Sequence, residues 1–383
     1  MISNHNALYY FAFILWTIET FIGVFTKFYL VGDFFEQQKM FIQVCVICML
    51  VLKLFLDSYS WYILVFFTIV LTIFAFVSII SNNKTILNLL IFSFACKNVE
   101  LKKLAYLCFW IVLSLSMIVF LLFIFDFIKD ETVYRGFFLR RSLGLGHPNR
   151  LGEVVFILFF SFILMLSDLN RKIIIVSSFI SIIIGCIVYS ITDCRTFILC
   201  IFLFWVWKFC ISFRLFSRCN KFINKCLLIF FLIIMFVLFY LVVNIEVPSS
   251  QLVNTLLSGR ISSSNYYLNA IGWSFWGKTF SVDDFNVPFD MCYVYLLLKY
   301  GIFGTTIFLL LLIRGMYANL DQQYLFVISL LILFYGFFER SLFDITMSYP
   351  FIFLLNPFFN EWVKNNMSGE FVHNRRMVQI LCK

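Results

Sequence analysis

Residues 61–80 read WYILVFFTIVLTIFAFVSII, twenty positions without a charge. At ~1.5 Å per residue, a helix of that length covers ~30 Å, the thickness of a bilayer's hydrocarbon core. The apolar side chains run all round instead of alternating, which fits a membrane-spanning helix and not a porin-type strand. The same pattern recurs from end to end. Of the 383 residues, 63% are hydrophobic and 13% charged, with 54 Phe and 5 Pro, a balance that leaves too little polar surface for a soluble domain. Twelve apolar runs can be drawn, at 7–30, 40–56, 61–80, 85–96, 104–128, 151–166, 173–191, 196–212, 226–245, 290–312, 324–338 and 347–359. The fourth and the last are short. The expected fold is therefore an all-α integral membrane protein, a polytopic bundle of about 10–12 transmembrane helices with a long external loop. The first run lacks a small-residue cleavage site and is too long for a signal segment, so it is read as retained.

The 12 cysteines do not suggest a disulfide framework. Most lie inside the runs, and Cys45 and Cys48 share one helix face in hydrocarbon, where nothing polar lowers a thiol pKa; apolar filling is their expected role.

Orientation follows from Lys and Arg in short loops. With twelve spans, Lys97, Lys102 and Lys103, then Arg171 and Lys172, then Arg214, Arg218, Lys221 and Lys225, then Arg314, fall on one side. The tail residues Lys364, Arg375, Arg376 and Lys383 join them. That side is expected to be cytoplasmic, with both termini inside, and most of the net charge of +9 is accounted for without nucleic acid. The chain then divides into N-terminal helices (1–128), an external basic loop (129–150), central helices (151–245), a long external loop (246–289), C-terminal helices (290–362) and a cytoplasmic basic tail (363–383).

The outer loops break the charge rule. Lys129 and Arg135 precede "RRSLGLGHPNRLG", which itself holds Arg140, Arg141 and Arg150, and Arg195, Arg260 and Arg340 are expected on the same face. Cations kept on the translocated side at membrane depth are functional candidates, and guanidinium groups grip phosphate and carboxylate bidentately. Asp130, Glu131, Asp193 and Glu339 stand close by in sequence, so structural ion pairs are the competing reading. Arg260 has no charged neighbour between Gln251 and Gly277, which makes an external anion its natural partner. His147, the one histidine outside the tails, has a charge state that is easily tuned, although a helix-entry residue bonded to the backbone is an equal reading. The 246–288 connection is long enough for a lid or binding loop and carries an amphipathic stretch at the interface. Its Tyr266, Tyr267, Trp273 and Trp276 fit an interfacial belt or stacking on sugar rings. No Walker sequence, HExxH, paired Cys/His spacing or GxSxG elbow occurs, and Asp283-Asp284 is read as a solvated turn. No metal or cofactor is expected.

The order of motifs is itself informative: "RSLGLGHPNRLG" entering a helix, "DCRTF" opening another, "LSGRI" in the long loop, then "DMCYVYLLLKYGIFG" and "FFERS". Over residues 130–345 this resembles the Wzy-type polysaccharide repeat-unit polymerases of the O-antigen polymerase and ligase superfamily. Arg135 with Gly146, and Arg141 with Gly152, match that family's RX10G spacing. Cys194 stands where the family usually has Ser, and Met291 where it has Asn. The resemblance implies a bacterial inner-membrane glycosyltransferase that joins undecaprenyl-diphosphate-linked oligosaccharides into capsular, exo- or O-antigen polysaccharide at the outer face. It also implies flippase and chain-length regulator proteins as partners, beside the lipid bilayer. Such a reaction needs neutralisation of the leaving diphosphate, for which Arg141, Arg195 and Arg260 are the candidates with Arg140 and Arg150 beside them. It also needs a base for the attacking hydroxyl, from among His147, Asp290 and Glu339. A ligase of the same superfamily would differ only in its acceptor. A lipid-linked oligosaccharide flippase would be expected to show duplicated halves, which are absent from the sequence.

Overall fold

The computed structural model describes residues 4–26, 32–135, 137–166, 171–212, 220–282, 284–285 and 287–356. Arg214, Arg218, Asp283 and the tail cations lie outside the described residues, as do the side chains of Arg171 and Lys172. Each of the twelve apolar runs is represented by a helix: α1 (Asn4–Thr20, continued by a π turn at Phe21–Phe25), α2 (Gly32–Leu56), α3 (Trp61–Ser81), α4 (Thr85–Ala95), α5 (Leu101–Ile124), α6 (Pro148–Met165), α7 (Arg171–Thr192), α8 (Arg195–Ser212) and α9 (Asn220–Val243). The long loop then supplies α10 (Pro248–Leu256) and α11 (Arg260–Ile271), and the C-terminal part adds α12 (Cys292–Ala318), α13 (Gln323–Tyr335) and α14 (Ile345–Leu355). Among the described residues, eight helices are long and apolar enough to cross a membrane. The chain is a polytopic helical membrane protein.

The short helices α4, α13 and α14 do not lie against lipid. Every side chain of α14 is buried, and the helix packs on α4, α12, α13 and α1 at the centre of the bundle. A helix of 11 residues covers only ~16 Å, so its ends stop inside the protein, where loose backbone groups have no water to turn to. Neighbours supply what water would. Asn83 Oδ1 accepts the Thr85 N–H at 3.0 Å, and the Tyr300 hydroxyl accepts the Ile86 N–H at 3.2 Å, closing the start of α4. The Asp344 carboxylate caps α14 from the Thr346 N–H, and the Tyr293 hydroxyl donates to Leu333 O at the end of α13.

The run at 290–312 is not one straight helix. Gly301 takes φ 70°, ψ 177° and breaks α12 between "LLLKY" and "IFG". The long loop enters that break. Lys278 N–H donates to Leu298 O, Ile302 N–H to Ser274 O and Phe303 N–H to Phe275 O, all at 3.0–3.1 Å. Two glycines make the approach possible: a Cβ on Gly277 would stand 1.9 Å from Lys299 O, and one on Gly301 2.3 Å from Gly277 N. Broken backbone at membrane depth is tolerated because the loop re-satisfies it.

Between α5 and α6 lies a hairpin absent from the sequence reading, β1 (Thr132–Arg135) paired antiparallel with β2 (Phe138–Arg141). Tyr267 of the long loop is not a belt residue. It is fully buried and stacked on Phe289 at 4.2 Å, whereas Tyr266, Trp273 and Trp276 are exposed.

The crossing predicts its own sensitivity. Gly277→Ala should lower stability by about 3 kcal/mol, combining a strained left-handed backbone with a backbone clash. Gly185→Ala, where a Cβ meets only side chains at 3.6 Å or more within α7, should change it by less than ~0.5 kcal/mol. Thermal unfolding of the purified chain in detergent checks both; equal melting temperatures for the two variants would contradict the crossing.

Candidate functional site

The loops that carry the unusual arginines converge at one end of the bundle. Gly146 N–H donates to Phe25 O, Thr279 to Ile80 O, Asn83 to the Tyr295 hydroxyl and Arg135 to Ser258. These contacts bring together the ends of α1 and α3, the hairpin and the starts of α6, α11 and α12. Lys97, Lys103, Lys221 and Lys225 lie at the other end, where Lys103 pairs with Glu100 and Lys221 with Asp321. The two groups of charge separated in the sequence reading are thus at opposite ends of the molecule.

At the converging end, Pro148 starts α6 and His147 is its N-cap. The ring Nδ1 accepts the Asn149 N–H at 3.1 Å, an arrangement in which the proton sits on Nε2. The next residue is the junction of the site. Asn149 Oδ1 accepts from Arg140 Nη2, and its Nδ2 donates to Glu339 Oε1 at 2.8 Å. Arg140 is buried, with Nε donating to Thr192 O at 2.5 Å. Hairpin, α6, α7 and the turn after α13 are thereby locked to one another.

Glu339 is only 7% exposed. Burial, then the nearby charges of Glu153 and Asp290, push its carboxyl well above the usual range, against the pull of Arg260 and Arg150. Asp290 stands at the start of α12, and burial raises its carboxyl too, opposed by Arg260 and Arg340. Two acids that resist ionisation, surrounded by guanidinium groups, are suited to moving a proton beside an anion.

Most of the predicted arginines have protein partners. Arg141 pairs with Asp130 at 2.7 Å, and Asp130 also accepts the Ser142 and Leu143 N–H groups at 2.9 Å. Burial raises that carboxyl, but the hydrogen bonds from Arg141 and Ser142 outweigh it and hold it below the ordinary value. Arg150 pairs with Glu153 at 2.6 Å, and Arg135 and Arg195 share Asp193. Arg195 remains 65% exposed, the most open of these cations. Arg260 is not unpaired. Asp290, thirty residues along the chain, reaches it at 3.4 Å, while its guanidinium also donates to Phe338 O and Leu257 O. The local stretch lacks a carboxylate, and the tertiary fold supplies one.

Asn149, Glu153, Glu19 and Asp344 belong to this end and were not among the predicted site residues. Glu153 had a readable signal, an acid inside an apolar run. Asn149 had none, since an uncharged amide two residues after a histidine reads as capping.

Among the described residues, no group of three His, Cys, Asp or Glu side chains could hold a metal ion. No protein-family model, curated protein or solved structure matches the chain.

The separation of the two ends gives a direct expectation. Cysteines placed at Ser263 in α11 and Tyr317 in α12, in a background without reactive native thiols, should label from opposite sides of a sealed membrane, Ser263 from outside. Labelling of both from one side would break the arrangement.

Proposed function

We propose that this chain is a membrane glycosyltransferase that joins polyprenyl-diphosphate-linked oligosaccharide units into polysaccharide at the outer membrane–water boundary. The observation that carries the reading is the buried Glu339 carboxyl, tied through Asn149 to Arg140 and flanked by Arg260 and Asp290. The motif order that resembles the Wzy-type polymerases supports it.

The chemistry assigned to the residues is economical. Glu339, as carboxylate, takes the proton from the acceptor sugar's hydroxyl. That oxygen bonds to the anomeric carbon of the donor, whose bond to the diphosphate oxygen breaks. The leaving diphosphate departs with the electron pair, and Arg140 and Arg260 stabilise the growing charge. The raised pKa makes Glu339 the stronger base once ionised. His147 fits less well, because its Nδ1 lone pair is engaged by the helix start and its Nε2 carries the proton. Asp290 is occupied by Arg260.

Glu339→Gln should keep the protein in the membrane yet lower polymer formation by about 100-fold, with lipid-linked single repeats accumulating. In the wild type, turnover should fall as pH drops through the raised Glu339 pKa, since only the carboxylate accepts a proton. Near-normal polymer from Glu339→Gln would remove it as the base. Arg260→Ala should cost about 10- to 150-fold, the worth of a charge-assisted contact, and Arg260→Lys should recover only part. Asp290→Asn added to Arg260→Ala separates the two explanations for that loss. If Arg260 serves only to neutralise Asp290, the double variant regains activity; if it binds diphosphate, the deficit stays.

A further inference from the structure

Asn149 is held at three points. Its backbone N–H donates to His147 Nδ1 at 3.1 Å, its Oδ1 accepts from Arg140 Nη2, and its Nδ2 donates to Glu339 Oε1 at 2.8 Å. Arg140 is fixed in turn, with Nε donating to Thr192 O at the end of α7. A run of three hydrogen bonds thus leads from α7 through the hairpin and α6 to Glu339.

That run has a direction. The two ends of an amide are alike in shape, and only their partners tell them apart. A guanidinium has donors and no acceptor, so the end of Asn149 that faces Arg140 is the oxygen. Nδ2, a donor only, is therefore the end that meets Glu339, and Oε1 accepts from it. In a protonated carboxyl the carbonyl oxygen is the better acceptor, which places the proton on Oε2. Among the described residues, Oε2 makes no hydrogen bond, and it is not one of the atoms sealed away without a partner. It is the oxygen left within reach of a proton donor.

We propose that Asn149 is the positioning residue of Glu339: Arg140 fixes its amide so that Oε1 is held and Oε2 alone exchanges the proton. The bearing of this on turnover rests on the glycosyl-transfer reading; the arrangement of the bonds does not.

The bond also acts on charge. An N–H donated to a carboxylate is stronger than one donated to a neutral carboxyl, so it favours the ionised form and works against burial. Other groups face Glu339 from each neighbouring element. Arg140 on the hairpin, Arg150 on α6 and Arg260 on α11 favour its carboxylate, while Glu153 on α6 and Asp290 before α12 oppose it. Cys194 before α8 and Tyr335 at the end of α13 lie near enough to feel its charge. Replacement of Asn149 leaves all of these in the chain and removes only the amide.

The test follows the Glu339 carboxyl itself, by infrared pH titration of the full chain in dodecyl maltoside, a detergent without a carbonyl. Loss of the band in Glu339→Gln assigns it. Asn149→Leu should move the band to higher wavenumber, because the carbonyl Oε1 loses its donor. Its titration midpoint should rise by at least about one pH unit, the worth of a charge-assisted bond. Asn149→Asp keeps a partner for Arg140 and loses only the donor, so its band should move the same way at a near wild-type melting temperature. That variant keeps the test readable if the leucine variant does not fold. Polymer made by cells carrying either variant should fall at least about tenfold. A band that stays in place in Asn149→Asp would overturn the proposal, since a link that only locks α6 to the turn leaves the Glu339 carbonyl as it was. A wild-type band already at the position of an unbonded carbonyl would overturn it too. If the bands move as expected while the wild type itself makes no polymer, the glycosyl-transfer reading fails and the positioning of Glu339 stands.

Discussion

Inside a bilayer, a backbone N–H or C=O that loses its partner finds no water, and leaving it bare costs several kcal/mol. The irregular parts of this molecule are built around that constraint. Among the described residues, three strongly apolar helices, α4, α13 and α14, are too short to cross, and another, α12, is broken at Gly301. Each exposes backbone groups at a depth where only protein can meet them. Asn83 and Tyr300 close α4, Tyr293 closes α13, Asp344 caps α14, and the loop strand around Ser274–Lys278 fills the break in α12. These repairs draw the polar turns inward at one end of the bundle, and that inward-drawn end contains the Glu339 network.

The same economy governs the charges. The fold sets carboxylates beside exposed and largely buried arginines alike: Asp130 beside Arg141, Asp193 beside Arg135 and Arg195, Glu153 beside Arg150, Asp290 beside Arg260. The pairing is uneven in a useful way. Arg141 is tied to the hairpin that its own segment forms, which marks it as a clip holding β1 and β2 in place. Arg260 and Asp290 come from different elements and sit 18% and 32% exposed, open enough to exchange partners with an incoming anion. Among the described residues, Glu339 is bonded to the Asn149 amide and to no cation, and burial raises its carboxyl. Arg340, one residue further, makes no ion pair within 4 Å among the described residues and lies over the Tyr295 ring.

The reach of the sequence is clearest in its periodicity. Runs such as 61–80 are apolar on every side, and bilayer thickness converts that directly into a helix and a count of helices; all twelve runs contain one. Charge in short loops likewise separated two sets of cations, because insertion into a membrane acts on local sequence near each span. His147 as a helix entry was also legible, since His-Pro before an apolar run places an N-cap and a first-turn proline by local rules alone.

Tertiary structure decided everything that depends on residues far apart in the chain. The Arg260–Asp290 pair spans thirty positions, and the Asn149–Glu339 bond almost two hundred, and no local pattern encodes either. Asp290 could be seen as an acid at the start of a span, but its burial beside Arg260 could not. The hairpin at 132–141 was masked by the basic residues that drew attention to charge, and the break at Gly301 by an apolar run that reads as continuous. Composition and spacing determined that this chain crosses a membrane many times and gathers arginines in the loops at one end. Which acid meets which arginine, and which cation is left free, was decided by packing, because only the folded chain sets the distances and burial on which a charge's energy depends.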